Sequence, residues 1–180
     1  MNPDTDNLIG SGVVFNVDAF FKELSDLEAK NVPNIHKRIH VSSRCHLNLT
    51  LHAAVDGLSE KALGKDKIGT TKRGIGPSYS SKAARDNLRI HDIYYNDFGT
   101  KLRTLADGYR ARYGDLLKYD VDEEIEKFKG IREKLRPYIV DAVEYMRVAQ
   151  EKKRSILVEG SQALSMSELK LDQKHLADRK

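Results

Sequence analysis

Ile68-Gly69-Thr70-Thr71-Lys72-Arg73-Gly74-Ile75-Gly76-Pro77-Ser78-Tyr79-Ser80-Ser81-Lys82-Ala83-Ala84-Arg85 packs three glycines, a proline, five serines and threonines and four cations into eighteen positions. A solvated surface loop is the common use of such residues. A site for an anion such as phosphate is the other. Glycine lets backbone amides approach a ligand because no Cβ intervenes. Thr70, Thr71, Ser78, Ser80 and Ser81 offer hydroxyls. Lys72, Arg73, Lys82 and Arg85 offer charge-assisted donors, the strong kind for phosphate oxygens. From Ser81 onward the residues form helix readily, and a helix N-terminus favours anions. Lys82 and Arg85, three apart, can share a helix face. The standard phosphate loop, G-x-x-x-x-G-K-[ST], does not occur.

Before this stretch, Leu8 to Phe15 is apolar, β-branched and broken by Gly10 and Gly12, which reads as a strand or the edge of a strand pair. Asn16 can cap a helix whose apolar face is Val17, Phe20, Phe21, Leu24 and Leu27. Residues 31–34, with Pro33, form a turn, and Arg38 to Ser42 a short strand. Leu47, Leu51, Ala54, Val55 and Leu58 step as a second helix.

After it, Leu102, Leu105, Tyr109, Tyr113 and Leu116 mark a third helix, with both tyrosines read as core. Ile125, Phe128, Ile131 and Leu135 mark a fourth, opened by the acidic run Asp122-Glu123-Glu124 and bent or stopped at Pro137. The apolar stripe continues through Ile139, Val140, Val143, Met146 and Ala149. Ser155 to Val158 is a strand candidate, and the chain closes on a lysine-rich, weakly periodic tail. This is a helix-rich α/β chain with too few strands for a self-sufficient doubly wound sheet.

At 180 residues the chain is long enough for one domain with a real core. Apolar residues make up 39% and charged residues 32%, outside the disordered range. Lys and Arg number 31 against 27 Asp and Glu, and the signs interleave, so the net charge of +4 does not imply a nucleic-acid partner. The single cysteine, Cys45, excludes an internal disulfide and is read as a small half-buried side chain. No apolar run approaches the roughly 20 residues of a membrane helix. No signal-peptide pattern opens the chain, so the Asn48-Leu49-Thr50 sequon is read as chance. His36, His40, His46, His52, His91 and His175 form no ligand cluster and are read as surface or half-buried.

The order of the residues adds what composition does not. Gly74 to Arg85 closely resembles a signature of the adenylosuccinate synthetases, of the form G-I-G-P-x-Y-x-x-K-x-x-R. Ile68-Gly69-Thr70-Thr71, Leu8-Ile9-Gly10-Ser11-Gly12-Val13-Val14 and Ile156-Leu157-Val158-Glu159-Gly160-Ser161-Gln162-Ala163-Leu164 resemble the same family, in its order. The resemblance spans about Asn2 to Leu164 and is nearest the fungal branch. Residues 165–180 form a divergent tail.

The resemblance implies a fold and a reaction. The fold is the helix-rich central part of a GTPase-like mixed-sheet enzyme, its sheet incomplete. The reaction is a ligation of purine nucleotide biosynthesis: IMP, L-aspartate and GTP give adenylosuccinate, with magnesium assisting. By position, Thr71, Arg85 and Gln162 match residues that bind IMP, the first two at its 5′-phosphate. Lys82 matches the active-site lysine of the signature, and Arg73 a supporting basic position. Arg85 is expected to reach the partner's site in a homodimer. Cytoplasmic location, without membrane or nucleic-acid partners, is implied too. Lys72 stands where bacterial members carry glycine, a substitution that strains the backbone if φ is positive there. The family's G-D-E-G-K-G and G-H-T segments and its guanine-binding segment have no counterpart here, so no metal or GTP ligand is expected in this chain and it is expected to be inactive alone. Two alternatives stand beside this reading. One is a non-catalytic helical binding module with a basic phosphate-binding loop over 61–85. The other is a non-catalytic partner of full-length subunits.

Overall fold

The computed structural model describes residues 5–62 and 71–160. Gln162, Ile68 to Thr70, His175 and the 165–180 tail lie outside the described residues. The elements run β1 (Asn7–Ile9), β2 (Val14–Phe15), α1 (Val17–Ala29), α2 (Ile35–Arg38), β3 (Ile39–Ser42), β4 (His46–Leu47), α3 (Thr50–Ala62), α4 (Ile75–Ala84), α5 (Phe98–Tyr113), α6 (Val121–Leu135), β5 (Ile139–Val140) and α7 (Ala142–Glu151). Among the described residues the fold is α/β, rich in helix, with two small parallel sheets. One has the order β1-β3-β5, pairing Leu8 with His40 and Val41 with Ile139. The other pairs β2 with β4 through Val14–His46 and Phe15–Leu47.

The expected strand over Leu8–Phe15 is therefore two strands in two sheets. A turn at Ser11-Gly12 breaks it, closed by Val13 N–H donating to Gly10 O at 3.4 Å. Asn16 caps α1 as expected, its Oδ1 accepting from Ala19 N–H at 2.9 Å. The helix then buries Val17, Phe20 and Leu24, and Phe20 meets the Phe15 and Tyr138 rings at 5.1 and 5.2 Å. Asp120 caps α6 through Asp122 and Glu123, so the acidic run opens a helix.

Four expectations on boundaries are corrected. Leu47 belongs to β4, because its backbone is paired with β2 and its N–H donates to Leu88 O at 2.8 Å. Leu116 falls outside α5, which stops where Gly114 turns to φ +53°, and it is exposed. Ile139 and Val140 do not continue a helix. Pro137 sits in a 3-10 turn, Arg136–Tyr138, after which the chain pairs with β3. Ser155–Val158 is no strand among the described residues: nothing there pairs with it, and Leu157 and Val158 stand 94% and 83% exposed.

The core gathers Leu47, Leu49, Leu51, Val55, Leu88, Ile90 and Leu102 between α3, α5 and the small sheets. No described helix is long and apolar enough to cross a membrane.

Candidate functional site

Most of the described part of the opening stretch is helix. Helix α4 begins at Ile75, not at Ser81. Pro77 lies in its first turn, where a missing N–H leaves no bond unmade. Only Thr71–Gly74 remains as loop, and Thr71, Lys72 and Arg73 are exposed.

Gly74 has φ +74° at the N-terminal boundary of α4. A Cβ there would lie 2.5 Å from Ala53 N and 2.6 Å from the His52 carbonyl carbon, so glycine is required by helix packing. Its amide donates to Asp56 Oδ2 on α3 at 3.0 Å. This amide is thus spent on the protein, not offered to a ligand. Lys72 lies at φ +55°, the left-handed region where a side chain is strained. Asn48, just after β4, donates from Nδ2 to Arg73 O at 3.0 Å.

A buried polar network seats α4 on the elements beneath it. His52 is fully buried on α3. Its Nδ1 accepts from Leu49 N–H at 3.0 Å, which puts the proton on Nε2. Nε2–H then donates to Ser81 Oγ at 3.2 Å, and Ser81 Oγ–H donates to Ser78 O at 3.1 Å. Burial pulls the His52 pKa down to about 4, consistent with a neutral ring. Ser78 Oγ and Asn87 Nδ2 both donate to Leu47 O at 3.1 Å. Tyr109 meets the edge of the His52 ring at 6.2 Å and donates to Pro77 O at 3.3 Å. Both it and Tyr113, which bonds Ser59 Oγ, pack against the core as expected. His46 and His52 are buried, against the expectation for the histidines.

Lys82 points from α4 to the turn after β1. Its Nζ donates to Ser11 O at 3.0 Å and to Gly12 O at 2.6 Å, and lies 5.3 Å from the Tyr79 ring. Tyr79 OH reaches Gly12 O at 3.4 Å, and Cys45 Sγ reaches Gly10 O at 3.0 Å. Cys45 is fully buried rather than half-buried, and burial pushes its thiol up to about 11. The fold thus joins two segments that the sequence only sets in order, residues 8–14 and 74–85.

Arg85 ends α4 in the left-handed region, φ +67°, with Asp86 N–H closing back on Ser81 O at 3.1 Å. It is exposed and lines a cleft of about 760 Å³ with Arg89, Lys101, Tyr109 and Arg112. Asp92 lies in the same cleft. Burial opposes its charge, but Lys101 Nζ at 2.7 Å and the Arg89 amide at 2.7 Å hold its carboxyl below the ordinary value.

Thr71 and Arg73 therefore stand before the N-terminal end of α4, and Arg85 at its C-terminal end. Ten residues of helix separate them, roughly 15 Å of rise. Lys82 is directed to a third place, the Gly10–Gly12 turn. Asp56 escaped the sequence reading, and Asn48 and His52 were given no role at the site there. The signal for two of them was present: His52 and Asp56 are polar residues at i and i+4 on the face of α3 that carries Leu51 and Val55. Among the described residues no three His, Cys, Asp or Glu gather as a metal site.

A family model described as adenylosuccinate synthetase matches residues 1–172. Adenylosuccinate synthetases of Sordaria macrospora and Neurospora crassa are each 59% identical over 167 residues, 92% of this chain and 39% of theirs. The chain thus spans well under half the length of these relatives. A solved structure described as fully ligated adenylosuccinate synthetase from Plasmodium falciparum superposes with a TM-score of 0.75 at 31% identity, over 87% of this chain and 36% of that one.

Proposed function

This chain belongs to the adenylosuccinate synthetase family, and on that premise we propose that it carries the IMP 5′-phosphate clamp of a GTP-dependent ligase. In that reaction GTP phosphorylates the 6-oxygen of IMP, and the amino group of L-aspartate then displaces the phosphate to give adenylosuccinate. Magnesium, when bound, offsets phosphate charge; no residue of this chain is assigned to it or to GTP. Cytoplasmic location belongs to the same reading.

Thr71 supplies a hydroxyl to the phosphate, and Arg73 lends positive charge beside it. Arg85 supplies a guanidinium, whose planar fork suits phosphate oxygens. Gln162 is assigned to the IMP base and ribose. Lys82 serves the site by strapping the Gly10–Gly12 turn against α4. The observation that carries the reading is the separation of Thr71 and Arg85 by the length of α4. One phosphate does not meet both from a single chain. Two copies of the chain, each lending Arg85 to the other's Thr71, bring them together, so the homodimer is part of the site.

Calorimetric titration of IMP tests this. Thr71→Ala and Arg85→Leu each abolish saturable binding when pure. A mixture of the two restores it, because each mixed dimer has one site with Thr71 from one chain and Arg85 from the other. No restoration on mixing would overturn the shared site, and no binding by the unsubstituted chain would overturn the assignment to IMP.

A further inference from the structure

We infer that Asp56 is a positioning residue for the Thr71–Arg73 loop, holding the backbone in the path that presents Thr71 and Arg73 to an anion. The inference rests on the phosphate-clamp reading above.

The loop leads into a helix that cannot cap itself in the usual way. In a common N-terminal arrangement, the third residue of the helix sends a side-chain oxygen back to the amide of the cap residue. Here that third residue is Pro77, which has no such oxygen, and the cap residue is Gly74, which has no side chain. Gly74 is fixed as glycine because α3 backbone lies where its Cβ would be. The acceptor comes instead from another helix: Asp56 Oδ2 takes the Gly74 N–H at 3.0 Å. Asp56 is buried, so its carboxylate is held in a fixed place.

The same face of α3 grips α4 at two heights. Asp56 holds its cap residue, Gly74, and His52, one turn earlier on α3, holds Ser81 two turns further along. Asn48, just after β4, fixes the carbonyl of Arg73. Lys72 and Gly74, on either side of Arg73, both have positive φ. For Lys72, which is not glycine, that conformation persists only where surrounding contacts over-determine it. Asp56 and Asn48 are those contacts on the two sides of the Arg73–Gly74 peptide. What they determine is the direction in which the Thr71 hydroxyl and the Arg73 side chain leave the surface.

IMP titration by calorimetry, with thermal unfolding in parallel, separates positioning from mere stability. Asp56→Ala is expected to weaken IMP binding about tenfold to a hundredfold, the cost of a small misplacement of binding groups. Asp56→Asn, which keeps an oxygen acceptor for the Gly74 amide, is expected to recover most of that loss. Val121→Ala in α6 is the control: it lowers the unfolding midpoint without touching the loop, and is expected to leave IMP affinity unchanged. Equal affinity in Asp56→Ala and the unsubstituted chain, or equal losses in Asp56→Ala and Val121→Ala, would sink the inference while leaving the clamp standing. Absence of IMP binding in the unsubstituted chain would sink the clamp, and this inference with it.

Discussion

His52 shows how far one buried side chain constrains the chemistry around it. Its ring accepts on one nitrogen and donates on the other, so only the neutral form fits both bonds. Its ordinary value is 6.5 and burial lowers it to about 4. Above pH 6.5 the ring is neutral folded and unfolded alike, and pH has no leverage through it. Below that, the unfolded chain takes up a proton that the folded chain refuses until about pH 4. Stability is therefore lost as pH falls between those values, with a slope approaching about 1.4 kcal/mol per pH unit. Burial lowers His46 to about 4 as well, so both rings contribute over this window. Urea unfolding should show the summed slope, and His52→Gln should reduce it by about half. Gly74 is a second residue whose identity is dictated by its neighbours. Gly74→Ala forces a methyl into α3 backbone at φ +74° and is expected to cost at least about 3 kcal/mol in the same assay. A loss below about 1 kcal/mol would mean that α4 can move off α3.

Among the elements, α1 and α4 form for different reasons. Helix α1 has an ordinary cap and an apolar stripe, and both are local to its sequence. Asn16→Ala removes the bond to Ala19 N–H and should lower stability by about 1 kcal/mol in denaturant unfolding, without altering the helix content of the folded chain. Helix α4 has neither a side-chain cap nor a strong stripe. It is held by polar contacts to α3, β4 and the turn after β1, through Asp56, Leu47 O and Lys82. Those contacts come from residues distant in sequence, so α4 depends on tertiary structure in a way α1 does not. The same dependence separates its two ends, with Thr71 and Arg73 before one and Arg85 at the other.

At the scale of the molecule, apolar surface stands uncovered among the described residues after α7. Leu157 and Val158 are almost fully exposed, beside Ile156 at 41%. Helix α7, just before them, buries none of its residues, and Val143 on it is 61% exposed. Such surface favours association of one chain with another. Sedimentation analysis of a chain carrying both Leu157→Lys and Val158→Lys should show less self-association than the unsubstituted chain. Sedimentation unchanged by the two lysines would place the association elsewhere, as in the cleft lined by Arg85, Arg89 and Arg112.

The sequence by itself determined the family, the helix-rich α/β class, the cap at Asn16, the acidic opening of α6 and the stop at Pro137. Each of these is written in near neighbours: a cap and its amide, a stripe at helical spacing, a proline that cannot donate. Tertiary structure alone decided that Leu8–Phe15 splits between two sheets, that Ile139–Val140 joins β3, and that Ser155–Val158 finds no partner among the described residues. Strand pairing depends on which edge is available, and local pattern does not carry that. It also decided the use of the glycine-rich stretch. The residues suggested amides offered to an anion, but Gly74 turns its amide to Asp56 because α3 lies against its Cα. Lys82 turns to the carbonyls of Ser11 and Gly12 because the turn after β1 is folded against α4. A short sequence can announce which groups are present; the direction each one faces is set by whatever packs behind it.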